Sequence, residues 1–86
     1  MITILFTPSF DRLMRKVEPE MLEAISESIE LLKNPTNHKR LKTHKLHGKL
    51  SGLRAFSVDY RHRVVFQWIG KKQVLLLDFG DHSVYE

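Results

Sequence analysis

Three short apolar runs crowded between Leu53 and Phe79 restrict the fold of this chain more than anything else in it. They are Ala55-Phe56-Ser57-Val58, Val64-Val65-Phe66-Gln67-Trp68-Ile69 and Val74-Leu75-Leu76-Leu77. Each is rich in β-branched or aromatic residues, and only the polar corner Asp59-Tyr60-Arg61-His62 and the turn Gly70-Lys71-Lys72 separate them. Such spacing predicts antiparallel strands joined by hairpins. The third run is apolar at every position, which predicts a strand covered on both faces or at least a central one.

The residues before this sheet read as a strand and two helices. Ile2 to Phe6 is β-rich. Thr7-Pro8 then opens a helix, with Thr7 as the cap and Pro8 at the first helical position. Phe10, Leu13, Met14 and Val17 fall on one helical face. Glu18-Pro19 breaks that helix and starts another, whose inner stripe is Leu22, Ile25, Ile29 and Leu32. Asn34-Pro35 stops it, because the residue before proline avoids the α region. The order β-α-α-β-β-β predicts an α+β domain spanning 1–86. A small antiparallel sheet would carry an N-terminal helical hairpin on one face, leaving the other face or its rim for function.

Charge is distributed unevenly. The net charge is +4, yet from Leu31 to Val58 there is no Asp or Glu and seven Lys or Arg. The remainder is net −3. A solvated basic loop is the plain reading of such a run. A polyanion partner is the sharper one, and the cations Arg54, Arg61 and Arg63 at the strands favour it. Thr36 to Gly52 reads as a long basic loop with Leu41, Leu46 and Leu50 as sparse anchors, and loops of that length are often functional.

Cysteine is absent, so disulfides and thiolate metal sites are excluded. His44 and His47 have a possible ligand spacing, but no neighbouring carboxylate completes a metal set. No cofactor is expected. No apolar run reaches the ~18 residues of a membrane span, which predicts a cytoplasmic protein with no membrane partner.

RNA can be cut without a metal when the 2′-hydroxyl attacks the adjacent phosphate. That reaction needs a base, an acid for the 5′-oxygen, and cations around the developing charge. Arg63 at a strand start, and His82 and Tyr85 in Gly80-Asp81-His82-Ser83-Val84-Tyr85, supply those chemistries. Lys45, His47, Lys49, Arg54 and Arg61 are the candidate RNA-binding residues.

On Ser9-Phe10-Asp11-Arg12, on Lys45 to Arg54, on Tyr60-Arg61-His62-Arg63-Val64-Val65-Phe66 and on the segment Gly80 to Tyr85, the chain resembles the RelE/ParE superfamily of toxins from toxin–antitoxin pairs. It is nearer the RelE and YafQ type of ribosome-dependent messenger-RNA endonuclease. The resemblance covers nearly the whole sequence. It implies a RelE-like fold and assigns Arg63 to phosphate stabilisation. His82 matches the YafQ-type histidine, Tyr85 the C-terminal tyrosine, and Arg54 a lysine of the RelE strand. Phe56 stands where RelE has a second lysine, and no acid between Leu31 and Val58 matches the glutamate of YoeB-like relatives. The implied partners are a cognate antitoxin, messenger RNA on the ribosome, and operator DNA only through the antitoxin complex. A ParE-like gyrase poison without nuclease activity, or a degenerate non-toxic member, is the alternative.

Overall fold

The structure, a computed structural model, describes residues 1–81. Its elements are β1 (Thr3–Phe6), α1 (Pro8–Met14), α2 (Pro19–Leu32), β2 (His44–Lys45), β3 (Arg54–Ser57), β4 (His62–Gly70) and β5 (Gln73–Asp81). Short 3-10 turns occupy Pro35–Asn37 and Gly48–Leu50.

One five-stranded sheet runs in the order β1-β5-β4-β3-β2. The three expected strands form the antiparallel meander β3-β4-β5. Two features go beyond the sequence reading. First, β1 lies parallel to β5, with Ile4 beside Val74 and Phe6 beside Leu76, so the sheet is mixed. The two helices carry the chain from β1 across one face to the far edge, and the meander returns to β1. Second, the basic loop is not structureless. His44 and Lys45 pair with Ala55 and Arg54 as a two-residue edge strand.

Thr7 caps α1 as its sequence predicts. Its Oγ1 accepts from the Phe10 N–H at 3.1 Å and donates to the Leu76 carbonyl at 2.9 Å. One side chain therefore ends β1, starts α1 and ties both to β5. The main core joins Phe10, Ile25 and Leu32 from the helices to Phe56, Val64, Phe66, Val74 and Leu76 from the sheet. Phe10 and Phe56 are fully buried, and such burial stabilises by about 1.5–3 kcal/mol per side chain.

The expected inner stripe of α2 is partly rotated. Ile25 and Leu32 are buried, but Ser28 shares their burial and Leu22 is exposed. Ser28 satisfies its hydroxyl on the Ala24 carbonyl. The opposite sheet face is not free either. Leu46, Ala55 and Val65 form a second small core, with Leu50, Leu53 and Leu77 packed on it. Leu46 and Leu50 of the basic segment thus fold over this face, whereas Leu41 joins the main core, and β5 meets apolar cover on both sides, through Val74 and Leu76 on one and Leu77 on the other.

Candidate functional site

The β3–β4 corner is built by one carboxylate. Asp59 Oδ1 accepts from the backbone N–H groups of Arg61 (2.9 Å) and His62 (2.8 Å) and from His62 Nδ1 (2.9 Å). This is the local hydrogen bonding that makes Asp a turn former. Burial pushes the Asp59 carboxyl upward. The His62 side-chain hydrogen bond, the two backbone donors and the attraction of His62 outweigh it and hold the group below its ordinary range. The His62 ring stacks on Phe79, with centroids 5.5 Å apart and planes 9° from parallel.

Arg63 is folded beneath this corner. Its Nη1 donates to the carbonyls of Asp59 (3.2 Å), Tyr60 (3.5 Å) and His62 (3.3 Å). Its Nε is buried and has no hydrogen-bond partner among the described residues, and the same holds for Oγ of Ser57, which sits opposite Arg63 across the strands. A dry, unpaired donor on a cation is costly. The guanidinium is therefore fixed at one end and unsatisfied at the other.

Around it opens a cleft of about 700 Å³. Arg40, Lys42, Arg61 and Arg63 line it, together with the acids Glu27, Asp59 and Asp81. The cleft is of mixed sign rather than purely cationic. Asp81 is engaged by Arg61 at 3.2 Å, and Asp59 by His62. Lys42 has a φ of 56°, a conformation that a non-glycine residue adopts at some cost and often at functional sites.

The other candidates lie elsewhere. Arg54 is opposite Phe66, whose side chain belongs to the helix-face core, whereas Arg63 is opposite Ser57. Alternation along the strands puts Arg54 and Arg63 on opposite faces. Lys45, His47 and Arg54 share a separate cleft of about 380 Å³ with Trp68, and Lys49 is exposed on the adjoining 3-10 turn. The single functional face expected from the sequence is thus two clefts. His82 and Tyr85 lie outside the described residues, and β5 delivers the chain to the first cleft at Asp81, one residue before His82. Arg40 and Lys42 were visible only as part of a charge run, and Trp68 only as a strand residue. Among the described residues, no three His, Cys, Asp or Glu gather as a metal-ligand set, and no helix is long and apolar enough to cross a membrane.

No protein-family model matches the chain. No curated protein matches it in sequence. Solved structures do match in shape. The toxin–antitoxin complex RelBE2 of Mycobacterium tuberculosis superposes with a TM-score of 0.71 at 19% identity, covering 94% of this chain and 98% of that one. The YoeB–YefM complex of Staphylococcus aureus gives 0.69 at 19% identity, covering 95% and 98%. YafQ of E. coli gives 0.66 at 13% identity, covering 98% and 97%. Over nearly its whole length, then, this chain has the α+β fold of the RelE, YoeB and YafQ toxins.

Proposed function

We propose that the chain is the toxin of a toxin–antitoxin pair and an endoribonuclease that cuts messenger RNA on the ribosome. The observation that carries this reading is the pinned Arg63 guanidinium in a cleft rimmed by Arg40, Lys42 and Arg61. Attack of a ribose 2′-oxygen on the adjacent phosphorus, with departure of the 5′-oxygen, adds negative charge to the phosphate. A fixed cation serves that transient charge better than a mobile one, because it has no reorganisation left to undergo.

Arg61 and the other rim cations hold flanking phosphates. His82 and Tyr85 transfer the protons and stack a base. Lys45, His47, Lys49 and Arg54 grip RNA away from the scissile bond. The toxins of the RelBE2 and YoeB–YefM structures are bound to antitoxins, which supports a cognate antitoxin here. Contact with operator DNA would come only through that complex, and the site of action would be the cytoplasm.

The test is to induce the chain alone and map message ends by primer extension, with and without ribosomes. Cleavage is expected in the wild type and not in Arg63→Ala. If Arg63→Ala, His82→Ala and Tyr85→Ala all arrest growth as the wild type does, the assignment is wrong. DNA-damage signalling without message cleavage would favour gyrase poisoning instead.

A further inference from the structure

The second cleft carries an arrangement that a purely structural sheet avoids. Lys45 and Arg54 stand directly opposite one another on β2 and β3. Like charges at such a position repel. The lining of this cleft contains no Asp or Glu to relieve them, and the sequence from Leu31 to Val58 has none. His47 adds a third nitrogen-bearing side chain at the same opening.

Beside these cations lies the sole tryptophan of the sequence. Arg54 is opposite Phe66 on β4. Trp68 is two residues further along that strand, so it is the diagonal neighbour of Arg54 on the same face. The indole is half-buried. Phe66 meets it edge-on at 6.4 Å and His38 lies 6.2 Å away, so the ring is held in place. Gly52 lines the same cleft, and a Cβ there would meet nothing within 4 Å.

We infer that this cleft is a nucleotide subsite that takes one unpaired residue of an RNA strand. Its base stacks on Trp68, and its phosphate bridges Lys45 and Arg54. A fixed aromatic ring beside cations, with no acid, is the combination that binds single strands independently of sequence. A duplex would not fit, because its bases are already stacked on one another. The choice of RNA rests on the function proposed above, but binding at this subsite requires no cleavage. The subsite is on the opposite sheet face from Arg63, so it acts as a second hold on the strand.

The sole tryptophan makes the test direct. The isolated chain is titrated with a 2′-O-methyl hexanucleotide, which cannot be cut, while tryptophan fluorescence is followed. Saturable quenching is expected in the wild type. The Lys45→Ala/Arg54→Ala protein should need at least about tenfold more strand. Trp68→Phe should bind a labelled strand within about threefold of wild type, and Trp68→Leu about tenfold more weakly. Absence of quenching, quenching unchanged in the double variant, or wild-type binding by Trp68→Leu would overturn the subsite. Message cleavage without quenching removes the subsite alone. Quenching without message cleavage removes the proposed reaction alone.

Discussion

The two clefts use positive charge in different ways. Around Arg63 every charged group whose contacts are described is tied down. The guanidinium hangs from three carbonyls, Asp59 is saturated by the turn, and Arg61 grips Asp81. Around Trp68 the cations are exposed or half-exposed, face each other and have no acid in the lining. A tied-down cation suits a charge that exists only in a transition state. Loose cations suit a strand that must bind and leave, and their grip weakens with salt. On the function proposed above, the difference would separate chemistry from holding within one small sheet.

The most damaging way to break this contrast is to remove what both clefts stand on. Phe56→Ala should destabilise the fold by about 3–5 kcal/mol, seen as a large fall in the urea midpoint, with both clefts lost together. Next is Arg63→Ala, expected to reduce message cleavage by about 100-fold or more with little change in the melting temperature. Arg63→Lys should restore little of it, because an ammonium cannot reproduce the planar fork. A smaller effect is expected from Lys45→Ala/Arg54→Ala. It should flatten the salt dependence of RNA binding by roughly 1.4 in log–log slope, about 0.7 for each lost charge on a single strand, while cleavage of message already on the ribosome falls less than in Arg63→Ala.

The smallest effect concerns acid. Because the folded Asp59 carboxyl titrates below its ordinary value, its contribution to stability is complete above about pH 4. It drains away as pH falls through the folded value, since the unfolded chain then binds the proton more readily. Asp59 is 44% exposed, so solvent screening keeps the contribution under about 1 kcal/mol. Asp59→Asn should therefore lower the melting temperature slightly at pH 7 and by progressively less as the solution is acidified, as followed by circular dichroism.

What was legible in the sequence was mostly local. The three-strand meander, the Thr7 cap and the two helix breaks each follow from residues within one or two turns of each other. The parallel pairing of β1 with β5 joins residues about 70 positions apart, and nothing near Ile4 announces Val74. The separation of Arg54 from Arg63 was hidden for a related reason. Which face each residue takes depends on the β3–β4 register, and that register is fixed by how Asp59 closes the corner. Leu22 misled because its spacing suits a buried stripe, while Ser28, with its hydroxyl turned back on the helix, took the buried place instead. The basic run did mark the two clefts, but its leucines, not its charges, decided where it lies.

The pairing of β1 with β5 also has a temporal meaning. While the chain is being made, β1 lacks its partner strand until residues 73–76 are free of the ribosomal tunnel. Until then the apolar sides of both helices lack much of the surface they pack on. A nascent chain stopped before Gln73 would thus be a target for proteases, so the fold and any activity built on it arrive only after synthesis has passed that point.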